Sequence, residues 1–489
     1  EMAGASAAAS PDRGATPTAS ATPARKSNVL FFMSDDMRVE LGCYGSIFGA
    51  KTPNLDALAK SGVRFDRNYC QFPLCNPSRS SLMTSRRPTI TGVLGNRDNF
   101  RQLHPDWVSL PQLFKNNGYV TARAGKIFHG GLDDPLAWTV GGGVRDGDGG
   151  AGGHDLVVPR GATPPMPDYD LPPLPGDVAQ APHSDRIVVL DGQGEGHPDY
   201  HTADTAIDYL RQYQDQPFFI GCGFVKPHSP LCATQAMLDL YDLSKIKLTP
   251  DFAAWPTVPP GIPSAAIRKL NADLFIGRGA TEAEAREVIR AYIASVTFAD
   301  WNLGRVLAEL DKLGLRENTT IVFVTDHGYQ LGEKGKWSKA GSLFEMGTRV
   351  PLIIVEPGAK GNGQASVRTV QSLDIYPTMV ELCGLPKSPD LEGESLVPLL
   401  NDPASKWDSP AYSVWSEDGR TLHGVAVRTE KWRYAEFGPD GKNGAMLFDP
   451  VADPYEMKNL ADDLANKSVC AELSALTRKY AASLPATAA

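Results

Sequence analysis

No apolar run in this chain approaches the roughly 20 residues that a membrane-crossing helix needs, so no transmembrane anchor is expected. Basic residues do not form blocks, and Lys+Arg 48 against Asp+Glu 57 leaves a formal net charge of −9. That excludes a broad nucleic-acid footprint, although a small anion can still be held in a local basic pocket. Gly45, Gly62, Gly92 and Gly95 do not assemble a nucleotide-binding fingerprint. Tryptophans and tyrosines are scattered, with no platform on which bases could stack. The cysteines at 43, 70, 75, 222, 232, 383 and 470 show no metal-finger spacing. Six remain once Cys75 is set aside, which permits disulfides without demanding them. Cys222 and Cys232 could pair, with buried free thiols as the alternative. An apolar stretch of secretory-signal length is also missing, and the Ala, Ser, Thr and Pro of residues 1–26 read as a disordered leader or linker.

What remains is an ordinary globular composition, 42% hydrophobic and 21% charged, in 489 residues. That length allows one large core and a smaller domain. The 47 glycines and 39 prolines imply many loops, where α/β scaffolds carry their binding residues. Residues 28–34 form a continuous apolar run that ends abruptly in Asp35-Asp36. Such a run suits an inner strand covered on both faces, and its C-terminal end is where open α/β sheets bind ligands. The pattern recurs at 217–224, followed by Lys226-Pro227-His228, and at 319–325, followed by Asp326-His327-Gly328. Three strands thus deliver ionisable residues from equivalent positions, which points to one site.

Helical spacing falls at 54–60, 109–116, 202–213 and 282–310, the last expected to be broken by a bend. Strand and helix alternation predicts a mixed, mostly parallel sheet with helices on both faces. Residues 132–199, rich in Gly and Pro, are expected to form loops around the pocket. From about residue 409, short strands at 411–415, 424–428, 432–437 and 445–448 precede a helix at 469–481. The expected organisation is therefore a leader at 1–26, a catalytic α/β domain at 27–408 and a small α+β domain at 409–489, with an antiparallel sheet.

The densest chemistry lies in Cys75-Asn76-Pro77-Ser78-Arg79, ahead of a segment that reads as helical from Ser78. A cysteine at a helix N-terminus, beside an arginine with five donors, suits attack on a tetrahedral oxyanion ester. From these residues alone the nucleophile would be a cysteine thiolate. Asp35, Asp36, Asp326 and His327 are the candidate metal ligands; as isolated residues they would equally serve as caps or surface charge. Clustered carboxylates require a cation, with oxygen donors favouring Ca²⁺ or Mg²⁺ and the histidine leaving zinc or another transition metal open. Lys126 and His129, three apart, can reach one point as fixed charge and proton relay. His228 is held between prolines. Lys339 lies in a lysine-rich loop after Asp326, where an ordinary surface position is the alternative. His104, His154, His183, His197, His201 and His423 read as surface or loop residues.

These residues resemble the formylglycine-dependent sulfatases of the alkaline-phosphatase-like superfamily. The C-x-P-S-R signature stands at Cys75–Arg79, with Ser85-Arg86-Arg87-Pro88-Thr89 similar to its continuation. Ser34-Asp35-Asp36, Thr52-Pro53-Asn54-Leu55-Asp56, Gly125-Lys126-Ile127-Phe128-His129 and Leu447-Phe448-Asp449-Pro450 also match. Lys226-Pro227-His228 and Thr325-Asp326-His327-Gly328 look most like the iduronate-2-sulfatase branch and its bacterial relatives; many sulfatases have asparagine where His327 stands. The resemblance implies that Cys75 is oxidised by a formylglycine-generating maturation enzyme, and that one hydroxyl of the aldehyde hydrate attacks sulfur. It assigns the metal, Ca²⁺ foremost, to Asp35, Asp36, Cys75, Asp326 and His327. Arg79 and Lys126 would orient the hydrate, His228 and Lys339 would hold sulfate oxygens and protonate the leaving alcohol, and His129 would collapse the sulfated hemiacetal, with Asp326 as an alternative activating base. The expected substrate is a sulfated saccharide, with uronate 2-O-sulfate one candidate, or another small sulfate ester such as an aryl sulfate. A phosphodiesterase or phosphonate monoester hydrolase of the same fold is the rival enzyme, and a non-catalytic glycan-binding protein the rival of another class. The leader and the resemblance favour a periplasmic or secreted protein.

Overall fold

The computed structural model describes residues 26–142, 153–158, 160–165 and 185–482. Most of the leader, the Gly149-Gly150 and Pro172–Pro175 stretches and His183 lie outside them.

A seven-stranded sheet dominates the fold. Its order is Ala365–Gln371, Val63–Tyr69, Arg349–Val355, Thr319–Thr325, Asn28–Asp35, Phe218–Pro227 and Val120–Gly125. Arg349–Val355 runs antiparallel to both neighbours and the other pairs are parallel, so the sheet is mixed and mostly parallel. The unbroken apolar run at its centre has a direct cause. Val29, Phe31 and Met33 enter the core on one face, whereas Leu30 and Phe32 enter the core on the other. With a side-chain period of two, both faces must be apolar. Each such side chain contributes roughly 1.5–3 kcal/mol on full burial.

The helix Glu282–Lys312 packs on one of these faces, and here an expectation fails: it is a single unbroken element of 31 residues. Thr281 and Glu284 form a reciprocal capping box at its start. Gly304 does not bend it; the missing side chain makes room for Asn54, whose amide would lie 2.4 Å from a Cβ there. One turn earlier, Asp300 accepts from the backbone N–H groups of Asn54 and Leu55 at 3.2 and 2.7 Å. These bonds cap the Pro53–Ser61 helix from outside, since Thr52 makes no side-chain cap.

The 132–199 stretch also departs from expectation. Its described part supplies strands Gly153–Asp155 and Ile187–Leu190 to a small sheet completed by Leu231–Thr234. None of its described residues lines the cavity above Cys75. The C-terminal strands Ala411–Trp415, Gly424–Arg428, Arg433–Phe437 and Ala445–Phe448 form an antiparallel sheet, backed by the helix Lys467–Ala481 through Val427, Tyr434, Leu447 and Leu473. This sheet docks on the large one through Val414 N to Gln71 O, at 2.9 Å, and Ser413 Oγ to Cys70 O, at 2.6 Å. All seven cysteines are free thiols. No helix of the described residues is long and apolar enough to cross a membrane.

Candidate active site

The helix that carries Cys75 begins at that residue, not at Ser78 as the sequence suggested. Ser78 N bonds Leu74 O at 3.1 Å, so the first turn closes around Pro77, which has no N–H to lose at that position. Every residue of this helix, Cys75–Thr84, is buried. It ends at Ser85 in the left-handed conformation, φ 50.

Three parallel strands converge on it. Asp35 ends the Asn28–Asp35 strand, and Asp36 follows with φ 61, a turn that sends the two adjacent carboxylates to one place. Asp326 and His327 follow Thr319–Thr325, and His228 follows Phe218–Pro227. Cys75 Sγ lies 3.4 Å from Asp35 Oδ1 and 3.3 Å from His327 Nε2. Ligand atoms of Asp35, Asp36, Cys75 and His327 all fall within 4.8 Å of one another. Asp326 sits beside them, its Oδ2 3.4 Å from His327 Nε2, but its oxygens are already engaged. They accept from Arg79 Nε at 2.9 Å and from the backbone of Asp36 and His327 at 3.3 and 3.0 Å.

The donor set suits a divalent cation. His327 Nδ1 donates to the carbonyl of Gly328 at 3.0 Å, which leaves the Nε2 lone pair facing the carboxylates. Four carboxylates, Asp35, Asp36, Asp326 and Asp273, face three cations, Arg79, Lys126 and Lys339. A divalent ion added to that set would turn its formal charge from negative to positive, which suits an anionic ester.

Protonation follows from these contacts. Burial opposes the charge on Asp35, yet Lys126 and Arg79 hold its carboxyl well below the usual range. Burial is likewise outweighed at Asp36, which Lys339 and His228 keep low. At Asp326 burial prevails over Arg79 and raises the carboxyl. Lys339, despite burial, is pushed well up by Asp273 and Asp36, from which it lies 3.0 and 2.9 Å. Burial, then Lys339, lowers His228; burial, then Lys126, takes His129 down to about 3. His129 Nδ1 is buried and has no hydrogen-bond partner among the described residues.

One chemical expectation is overturned. Burial and the neighbouring Asp35 carboxylate push the Cys75 thiol well above its ordinary value. Arg79 does not rescue it, because its guanidinium is turned to Asp326 and to the carbonyls of Lys126 and Ile127, at 2.8 and 3.0 Å. A thiolate is the disfavoured form here.

A cavity of about 690 Å³ opens above Cys75, lined also by His129, His228 and Lys339. Arg79 and Lys126 lie beneath it, and Lys126 pairs with Asp35. All ten residues singled out from the sequence therefore gather at one place. The lysine-rich loop is buried rather than on the surface: Lys334 bonds Asp251, and Lys336 bonds the carbonyls of Arg268 and Leu270. Of its three lysines, Lys339 alone lines this cavity.

Several participants carried no signal in the sequence. Asp273 clamps Lys339 from a loop without a motif. Asn76, the variable residue of the signature, donates to the carbonyls of Gly95 and Asp98 at 2.8 and 2.7 Å and so anchors a rim loop. Asp199 receives the N–H groups of Val225 and Lys226 at 2.8 and 2.9 Å. Lys226 then donates to His228 O at 2.6 Å, fixing the turn that presents His228. His197, read as a loop residue, is the buried cap of the Pro198–Tyr213 helix.

Comparison with known proteins gives the same picture. Residues 27–385 match the sulfatase family model, and residues 332–482 match the model for the C-terminal region of N-sulphoglucosamine sulphohydrolase. A sulfatase of Formosa agariphila is 33% identical over 465 residues, covering 93% of this chain and 87% of that protein. Human iduronate 2-sulfatase is 31% identical over 409 residues, covering 74% and 70%. The fold is also similar to that of a phosphonate monoester hydrolase from Silicibacter pomeroyi, with a TM-score of 0.70 at 22% identity over 93% of this chain and 95% of the other. The chain belongs to the formylglycine-dependent sulfatases of the alkaline-phosphatase-like superfamily, related to the iduronate-2-sulfatases and arylsulfatases.

Proposed function

We propose that this protein hydrolyses sulfate esters of a saccharide, with uronate 2-O-sulfate a candidate substrate, through a formylglycine at position 75. The observation that carries the reading is the position of Cys75 Sγ, between Asp35 and His327 at the floor of a cavity walled by His129, His228 and Lys339.

Asp35, Asp36 and His327, with residue 75 and Asp326, would hold a divalent cation, Ca²⁺ foremost and Mg²⁺ or another metal as alternatives. When bound, that cation and the hydrated aldehyde supply a polarised sulfate and a hydroxyl nucleophile. Arg79 and Lys126 orient the hydroxyls through their fixed charge. Lys339, held between Asp36 and Asp273, offers its ammonium to a sulfate oxygen. His228 Nδ1 donates to Ser229 O at 2.7 Å, so the Nε2 lone pair faces the ester; it first takes up the proton that the attacking hydroxyl releases and then passes it to the leaving alcohol. His129, neutral through burial, accepts the proton from the second hydroxyl as sulfate departs. The partners implied are the sulfated substrate and a formylglycine-generating enzyme, and the setting is periplasmic or secreted.

The phosphonate-hydrolase-like fold keeps a phosphoryl substrate as the competing reading. Mass spectrometry of the peptide containing residue 75, with rates on matched sulfate monoesters, phosphate mono- and diesters and phosphonate monoesters, decides between them. Aldehyde at 75 with sulfate preferred supports the proposal. Unmodified thiol at full turnover, or preference for the phosphoryl esters, rejects it.

A further inference from the structure

The cavity mouth is built from three chain segments: residues 94–98, residues 268–273 and the 415–420 loop of the C-terminal sheet. The first and third touch: a Cβ on Gly95 would lie 3.6 Å from Gly419 Cα, so the two loops meet backbone to backbone. Both are braced. Asn76 holds the 95–98 loop from the first turn of the nucleophile helix. Asp418 gathers the other loop through Arg420 N and Thr421 N, both at 2.8 Å, and the hydroxyls of Ser416 and Thr421.

The charged side chains of this mouth divide into committed and uncommitted ones. Arg268 is bound to Glu417 at 2.6 Å, and Lys339 to Asp36 and Asp273. Asp418 is occupied by the bonds just named. Arg97 and Arg420, both exposed, have no carboxylate partner among the described residues, and Asp98 is the uncommitted carboxylate that remains. The two arginines stand within two residues of the Gly95–Gly419 contact, one on each loop. A guanidinium pairs through two parallel donors with a carboxylate or sulfate, and a hydroxyl gives it no comparable partner. The cavity, at about 690 Å³, has room for a sugar ring above the ester group.

We propose that Arg97 and Arg420 determine specificity by binding a second anionic group of the substrate, a uronate carboxylate or a further sulfate, while the scissile ester sits over residue 75. This rests on the sulfate-ester reading above. The test compares three versions of the sulfated ring that the enzyme cleaves best: neutral, with a carboxylate at C6, and with a second sulfate. The readout is the ratio of kcat/KM for each anionic ring to that for the neutral ring, in wild type and in Arg97→Gln/Arg420→Gln. Wild type should prefer at least one anionic ring, and the double variant should lose about tenfold of that ratio, chiefly through KM. Preference for the carboxylate ring alone identifies a uronate, and for the doubly sulfated ring alone a further sulfate. Absence of any preference in wild type, or a ratio unchanged in the variant whatever happens to total activity, overturns the proposal. Calorimetric binding of the same rings to metal-loaded Cys75→Ala, with and without the two arginine changes, measures the same preference in the absence of turnover. Should wild type cleave no sulfate ester, the sulfatase reading fails, while a tenfold loss of affinity confined to the anionic rings still upholds the arginine pair.

Discussion

Arg79 donates its Nε hydrogen to Asp326 Oδ2 at 2.9 Å, joining the helix that starts at Cys75 to the strand end after Thr325. Both side chains are buried, so the bond spans the reaction centre out of reach of water. Arg79→Gln leaves the Asp326 and Asp35 carboxylates short of a cation. The expected cost is about 3–5 kcal/mol of stability, as for a broken buried pair, with turnover lost as well. Denaturant titration of the variant checks it; a loss below about 1 kcal/mol would show that the pair does not hold the two elements together.

Cys75→Ser should behave differently. Serine is nearly isosteric, the bonds of Arg79 and Lys126 do not depend on sulfur, and a hydroxyl can replace the thiol toward Asp35 and His327. Thermal unfolding within a few degrees of wild type is expected, with turnover reduced by at least about 10⁴-fold, as when other nucleophiles are removed. Substantial residual activity would mean that residue 75 is not the attacking group.

Removing divalent metal should lower both activity and melting temperature. A ligand present at roughly 100 times its Kd contributes about 2.7 kcal/mol to the folded state. Dialysis against a chelator, then calorimetry with Ca²⁺ or Mg²⁺ restored, measures it. Asp36→Asn should shrink the metal-dependent increment. An identical melting temperature with and without metal would remove the ion from the cluster.

Away from the site, Glu456 gives a pH dependence of stability. It lies 3.0 Å from Arg433 and accepts from Glu345 N at 2.7 Å. Burial, which outweighs Arg433, raises its carboxyl from 4.5 to about 7. A raised folded value means that its contribution is complete below pH 4.5 and is lost as pH climbs through 7. The loss of stability across that window should amount to roughly 3 kcal/mol. Glu456→Gln should flatten it, and an unchanged pH–stability curve would show that the shift is absent.

The large sheet and most of the site were legible because both are written in local pattern. Apolar runs such as 28–34, which end in charged residues, mark buried strands and their ligand-facing ends without any knowledge of the fold. The helix 282–312, expected to bend, runs unbroken even through Gly304, a poor helix former whose place is explained by the side chain of Asn54, far away in sequence. Asp273, Arg97 and Arg420 could not be found for the same reason. Each is an ordinary loop residue whose meaning comes from what a distant segment places beside it. The thiol went wrong in sign because a helix N-terminus and a nearby arginine are visible in sequence, whereas full burial and the direction of a guanidinium are not.

The contact between Gly95 and Gly419 joins two parts of the chain with different duties. Everything that would break the ester bond hangs from strand ends of the large sheet, the loops that follow them and the helix at Cys75, while part of the cavity mouth is lent by the C-terminal sheet. Selectivity can therefore drift through changes in the 415–423 turn and the 94–98 loop while the reacting core stays intact, so one catalytic apparatus can be refitted to new sulfated molecules by editing its lip.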